Sequence, residues 1–281
     1  MKKTKTFYDK IRMGLEVFIR AVFFVLYPAL FSTAFTGVKM LVEQVAGKKA
    51  LEWNTFVMTL VILIIFTICF GRFFCGFLCA FGSYGDCMYA LSSALRKKCR
   101  KKPLHIFKKW GKILRYGKYV VLLFVLLACI KGMENTVSLH SPVTVFSRLH
   151  ALKTPDSMLG LLLFLVITAG MAAEPRFFCR FLCPMGAIFS FLPVLPFSVI
   201  KRDRENCIMG CQACKMACPA GLDIPSLAEG DNSLSGECFS CGKCAGRCPR
   251  QNIILPGKSR GWLPLTVIKA VIALVVFLMV Y

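Results

Sequence analysis

Eight cysteines between Cys207 and Cys248 constrain this chain more than any other feature. They fall in two runs. Cys207, Cys211, Cys214 and Cys218 come first, with Pro219 behind the last. Cys238, Cys241, Cys244 and Cys248 follow, with Pro249 behind the last. The second run is C-x2-C-x2-C-x3-C-P. The first has three residues between its first pair instead of two. In such a run, three thiolates on one tight loop reach three corners of an iron–sulfur cubane, and the fourth ligates the other cluster. The spacing therefore predicts one [4Fe–4S] cluster on Cys207, Cys211, Cys214 and Cys248, and a second on Cys238, Cys241, Cys244 and Cys218. Each proline turns the chain away without leaving an amide to satisfy. Small residues (Gly210, Ala213, Ala217, Gly242, Ala245 and Gly246) allow close backbone approach to sulfur. Paired zinc sites are the alternative, but zinc takes four ligands per ion and has no need of a doubled three-plus-one pattern. The extra residue in the first run also leaves a [3Fe–4S] form open.

The rest of the chain is apolar. Of 281 residues, 57% are hydrophobic, against roughly 45–50% in ordinary soluble domains. The excess sits in long runs, which predicts a membrane protein. Five spans are expected, near Phe18–Val42, Thr55–Phe70, Tyr116–Ile130, Met158–Ala173 and Trp262–Tyr281. The basic N-terminus before the first resembles a signal peptide without a clean cleavage site, so that run reads as an uncleaved helix interrupted by Arg20 and Pro28. The net charge is +22. Its basic residues lie between apolar runs and no nucleic-acid-binding module is present, so the charge reads as membrane orientation and not nucleic-acid binding.

The densest basic stretch, Arg96–Lys118, places that loop in the cytoplasm by the positive-inside rule. The loops at Glu43–Asn54 and Lys131–Ser157 then face outward, and Glu174–Gly261 returns to the cytoplasm, a reducing compartment suited to thiolate ligands. Lys269, inside the last apolar run, must snorkel or pair. That last segment has an interfacial placement as its alternative.

An internal repeat links two parts of the chain. GRFFCGFLCAFG at Gly71–Gly82 matches PRFFCRFLCPMG at Pro175–Gly186. Each copy follows the second helix of a helix pair, which predicts a parallel repeat about the membrane normal. The stretches Ser83–Leu95 and Ala187–Ile200 then read as interfacial or re-entrant helices. Within the motifs, Cys75/Cys79 and Cys179/Cys183 form C-x3-C pairs, which would share one face of a helix. These four thiols are a candidate second site for iron–sulfur, copper or zinc, or two redox-active dithiols, with Arg72, Arg176 and Arg180 beside them to lower thiol pKa values. A packing role is the alternative. Cys69, Cys87, Cys99 and Cys129 lack such pairing and are expected to pack as small apolar residues.

The fold class expected is thus an α-helical multi-pass membrane protein with a cytoplasmic, bacterial-type 2[4Fe–4S] ferredoxin-like domain. Along the chain, residues 1–95 form the first membrane repeat and 96–118 a basic cytoplasmic loop. Residues 119–200 form the second repeat, 201–257 the two-cluster domain and 258–281 a C-terminal helix.

From about Phe18 to Pro249, the paired R-F-F-C-x3-C motifs followed by a two-cluster segment resemble the membrane polyferredoxins of periplasmic nitrate-reductase systems. Related modules occur in the nitrous-oxide-reductase maturation protein and in a cytochrome-oxidase assembly factor. The resemblance implies an electron-transfer subunit between the quinone pool or a flavoprotein and a partner redox protein, with Cys75, Cys79, Cys179 and Cys183 carried over as motif residues. Ala80 stands where the motif usually has proline, and the fifth span is also unlike the four-helix nitrate-system members. The alternative activity is thiol or copper reduction, or metalloenzyme assembly, at the C-x3-C sites. A redox sensor is a third reading, without a visible output domain. Glu134, His140 and His150 are candidates for proton relay, against a solvated-loop reading. No C-x-x-C-H, G-x-G-x-x-G or Walker loop occurs, which leaves covalent haem, dinucleotides and nucleoside triphosphates without a binding motif.

Overall fold

The computed structural model describes residues 2–47, 53–100, 111–195, 198–203, 205–222, 224, 235–255 and 258–280. Ten residues of the basic loop, 101–110, and the loop at 48–52 lie outside the described residues. The architecture is helical: α1 (Lys2–Leu26), α2 (Leu30–Ala46), α3 (Thr55–Phe70), a π-helical turn (Phe74–Leu78), α4 (Ala80–Lys98), α5 (Gly111–Leu114), α6 (Gly117–Ile130), α7 (Glu134–His140), α8 (Pro142–His150), α9 (Met158–Ala173), α10 (Phe177–Phe181) and α11 (Pro184–Phe191). The two-cluster segment follows with β1 (Lys201–Arg202), α12 (Ala213–Ala217), a 3₁₀ turn (Ser235–Glu237), α13 (Lys243–Arg247) and β2 (Ile253–Ile254), before α14 (Lys258–Val280).

Packing divides the chain into two compact units, neither continuous in sequence. One comprises Met1–Phe23, Leu63–Leu78 and Phe189–Tyr281; the other comprises Phe24–Ile62 and Cys79–Ile188.

The five predicted apolar windows all fall on helices, the first on two of them. Among the described residues, no single helix is long and apolar enough to cross a membrane. The expected first span breaks at Tyr27–Ala29, where Pro28 removes an amide donor, and its two halves pass the length and hydropathy requirement only as a bent pair. The remaining apolar helices are Thr55–Phe70, Gly117–Ile130, Met158–Ala173 and Pro264–Val280. Three of these are as short as their sequence windows. The predicted loop at Lys131–Ser157 contains α7 and α8. Ser83–Leu95 belongs to the 19-residue α4, whereas its counterpart stops early, with α11 ending at Phe191.

The helices of the two repeat copies are built alike. Both α3 and α9 have 16 residues. Asn54 Oδ1 accepts from the Val57 amide at 3.2 Å before α3, and Ser157 Oγ from the Gly160 amide at 3.1 Å before α9. Such caps are worth about 1 kcal/mol each. Inside α3, Thr59 and Thr67 hydroxyls donate to the carbonyls of Thr55 and Leu63, both at 2.7 Å. An apolar helix thereby carries hydroxyls with no unsatisfied donor.

In the unit containing α9, α4 packs along it. Gly85 lets Met171 approach, since a Cβ there would meet Met171 Sδ at 3.0 Å. Tyr84 stacks on Phe164 at 5.8 Å and shares a 3.2 Å hydrogen bond with Thr168. Phe81 meets Phe178 edge-on at 4.8 Å. In the other unit, Phe66, Phe70, Phe73 and Phe77 form a chain of ring contacts. Lys269 of α14 is 4% exposed and is held over the rings of Phe70 and Phe73 at 5.1 and 5.7 Å. The charge that sequence reasoning expected to snorkel or pair is met by aromatic faces. Arg20 likewise lies over Phe77 at 5.3 Å.

Candidate functional site

The two cysteine runs form a repeat of their own. Residues 211, 214 and 218 correspond to 241, 244 and 248 at a constant offset of 30. The helices α12 and α13 each have five residues and carry Cys214 and Cys244 at their second position. Cys218 and Cys248 cap them in extended conformation, at φ/ψ of −78/117° and −71/118°. Gly221 and Gln251 then both adopt positive φ, 65° and 58°. The register slips only at the first cysteine, Cys207 against Cys238, where the first run has its extra residue. The pair α12 and α13 pack on each other, and the segment is closed by antiparallel β1–β2, with Lys201 opposite Ile254 and Arg202 opposite Ile253.

A small, partly open cavity of about 40 Å³ lies within this segment. Cys218, Cys238, Cys241 and Cys244 line it. The remaining wall is largely apolar and includes Val194, Val199, Ile200, Leu222, Ile224 and Phe239. The thiols sense one another. Burial pushes the Cys238 thiol up to about 12, with Cys241 and Cys218 adding to the rise and Arg72 opposing it. Burial, then Cys241, Cys238 and Cys218, raise Cys244 as well. On the other run, Arg202 of β1 donates to Cys214 Sγ at 3.7 Å, and Cys207, Cys211 and Cys248 are half-buried.

Among the described residues, no three His, Cys, Asp or Glu side chains converge where one metal ion could sit. Four thiolates on a single zinc would lie roughly 3.8 Å apart, given a Zn–S bond near 2.3 Å. Thiolates on separate corner irons of a cubane are spread wider, and the donor set here, four cysteines around one largely apolar cavity, fits that group.

Residues outside the cysteine runs hold the second loop in place, and sequence reasoning did not single out these contacts. Arg72 is fully buried; its Nη1 donates to the Gly236 carbonyl at 3.4 Å and pairs with Glu237 at 3.1 Å. Its guanidinium lies 5.0 Å from the centre of the Phe239 ring. Arg12 donates from Nη2 to the Cys241 carbonyl at 3.3 Å while paired with Glu16 at 2.9 Å. Gly76 in the π-helical turn touches the Phe239 backbone so closely that a Cβ there would sit 2.4 Å from its carbonyl oxygen. Ser198 Oγ donates to the Cys69 carbonyl at 2.7 Å, tying the approach to the cysteine runs back onto α3.

The C-x3-C pairs do not share a helical face. Cys75 lies in the π-helical turn, but Cys79 sits outside it as the N-cap of α4. Cys179 is in α10, and Cys183 lies beyond that helix, ahead of α11. The chain breaks between the two cysteines of each pair, so the spacing of four does not act as one turn. In its place the second cysteine of each motif caps the next helix: Cys79 Sγ accepts from the Gly82 amide at 3.4 Å, and Cys183 Sγ from the Gly186 amide at 3.2 Å. Cys79, Cys179 and Cys183 belong to one compact unit and Cys75 to the other. Arg176, 3% exposed and at φ 56°, holds Asp86 through two bonds of 2.9 and 2.7 Å. Burial works against its charge, but Asp86 and the nearby Cys179 and Cys79 thiols outweigh burial and raise its pKa.

Cys129 is buried and Cys69 half-buried, as packing predicts, but Cys87 and Cys99 are exposed on α4. Glu134 begins α7. His140 bonds the Thr136 carbonyl at 2.9 Å, and His150 lies edge-on to Phe24 at 5.0 Å.

A helical chain with a doubled cysteine loop around an apolar cavity is the architecture of a dicluster iron–sulfur protein. Comparison with known families agrees: a 4Fe-4S dicluster domain matches residues 206–254, and a 4Fe-4S binding domain matches twice, at 52–102 and 157–198. The double match falls on the two repeat copies. An uncharacterized protein of Methanocaldococcus jannaschii is 30% identical over 69% of this chain and 68% of its own length. The ferredoxin-type protein NapH of Haemophilus influenzae is 27% identical over 73% of this chain and 69% of its own. Protein NirI of Paracoccus denitrificans is 26% identical over 76% of this chain but only 32% of its own. No solved structure matches. The chain belongs to the polyferredoxin family that includes NapH and NirI, an electron-transport family whose cofactors are [4Fe–4S] clusters.

Proposed function

We propose that this chain is a membrane-bound electron carrier that passes single electrons between the quinone pool or a flavoprotein and a partner redox protein. The observation that carries it is the apolar cavity bordered by Cys218, Cys238, Cys241 and Cys244. These four hold one [4Fe–4S] cluster, and Cys207, Cys211, Cys214 and Cys248 hold the other. A cluster so held takes up and releases one electron at a time. The residues around it exclude water (Val194, Ile200, Leu222, Phe239) and fix the loop (Arg12, Arg72).

Membrane attachment is supported by the side chains left uncovered. α6 exposes Val120, Leu123, Phe124 and Leu127; α9 exposes Leu159, Leu162, Leu165 and Val166; α14 exposes Ile268, Val271, Val275 and Leu278. Contiguous apolar faces of this kind belong against lipid or a partner. The basic stretch Arg96–Lys118 favours a cytoplasmic face for the cluster segment. The test is composition. Purified, anaerobically reconstituted protein should hold about eight irons and eight acid-labile sulfides, as two [4Fe–4S] clusters require. Protein without either would end this reading.

A second reading is supported by the capping geometry of Cys79 and Cys183. A thiol at a helix N-terminus is activated by the helix's positive end. These thiols would then form a working centre for thiol or metal reduction, fed by the clusters. Cys79→Ser with Cys183→Ser separates the two: kept quinol-dependent cluster reduction with lost copper reduction favours the second.

A further inference from the structure

The arginine at the second position of the repeat motif is used differently in the two copies. Arg176 commits its charge to Asp86 through two hydrogen bonds. Arg72 instead reaches into the cysteine segment, where it contacts residues on both sides of Cys238: Gly236 and Glu237 before it, and Phe239 after it.

We propose that Arg72 is a positioning residue that clamps the Gly236–Phe239 turn and raises the reduction potential of the cluster on Cys218, Cys238, Cys241 and Cys244. The inference rests on that ligand assignment. Reduction adds one electron, and so one negative charge, with no bond made or broken. A buried cation beside the ligand loop favours the added charge. It does so more strongly than it would in water, because the effective dielectric around it is lower. Glu237 does not cancel this effect. The Glu237 side chain is 20% exposed against 0% for Arg72, so solvent screens the carboxylate more than the guanidinium. The corresponding cation on the first run is Arg202, which donates to Cys214 Sγ.

The experiment is a dithionite redox titration of the purified full-length protein, followed by EPR, on wild type, Arg72→Gln, Arg72→Lys, Glu237→Gln and Arg202→Gln. Arg72→Gln should disfavour reduction of one cluster about tenfold, a 59 mV fall for one electron, and leave the other unchanged. Arg72→Lys should keep most of the wild-type potential, and Glu237→Gln should move the same cluster upward. Arg202→Gln should lower the other cluster. Two intact clusters with unmoved midpoints in Arg72→Gln, or equal shifts in both, would overturn the proposal alone. If Arg72→Gln assembles no clusters, Glu237→Gln decides: an upward shift of one cluster supports the proposal, and no shift overturns it. A wild-type protein lacking one cluster would overturn the ligand assignment, and the proposal with it.

Discussion

Gly76 offers the sharpest test of how the cysteine segment seats on the repeat motif. A Cβ at this position would lie 2.4 Å from the Phe239 carbonyl oxygen, where ordinary contact begins at 3.4 Å. The turn must therefore yield by the difference, 1.0 Å, and the obstacle is backbone, which cannot rotate away. Overpacking of this size costs typically 1–3 kcal/mol. At about 2–4 °C per kcal/mol for a chain of this size, Gly76→Ala should lower the unfolding midpoint by roughly 2–12 °C. Phe239 follows Cys238 directly, so the loss should show in the clusters. The visible absorbance of the clusters, followed during heating, measures both. Gly14→Ala is the control: nothing lies within 4 Å of a Cβ there, and alanine in a helix interior should stabilise by about 0.5–1 kcal/mol. If Gly76→Ala melted with wild type and kept full cluster content, the seating of Phe239 on the π-helical turn would be refuted.

Three further outcomes follow from the geometry. Asp86→Asn strands the buried Arg176 charge and should destabilise by about 3–5 kcal/mol, with part of the loss restored in Asp86→Asn/Arg176→Met; thermal melts of the two variants check this. Cys218→Ser should remove or convert the cluster of the second run and spare the other, although Cys218 lies in the first run; EPR and iron content decide, and loss of the first-run cluster alone would contradict cross-ligation. In cluster-free protein, Cys238 binds its proton more tightly when folded, so the folded state holds more protons than the unfolded one above the ordinary thiol pKa. Its contribution is therefore full below about pH 9 and is lost as pH rises toward about 12. Denaturant unfolding at pH 8 and pH 11 should show that fall, and Cys238→Ser should reduce it.

Much of this protein is local in origin. The cysteine spacing declares the cofactor, because a cubane needs three thiolates from one tight loop and a fourth from elsewhere, a requirement written in a few adjacent residues. The repeat was equally plain in GRFFCGFLCAFG and PRFFCRFLCPMG, and both copies lie behind helices of the predicted apolar windows. Other features depended on what comes near in space. The spacing of Cys75 and Cys79 suggested one helical face, yet the chain breaks between them, because a thiol can satisfy the open amides of the next helix instead. Pro28 was visible, but its effect was the splitting of a span. Nothing in the sequence separates Arg72 from Arg176, the same residue at the same position of one motif. Their difference comes from the neighbour each copy meets: Glu237 and the Phe239 ring in one case, Asp86 in the other. Cofactor type and the loops able to hold it are thus written in local cysteine spacing. Which motif arginine supports the second loop is settled by folding, because that choice depends on contacts across more than 160 residues of chain.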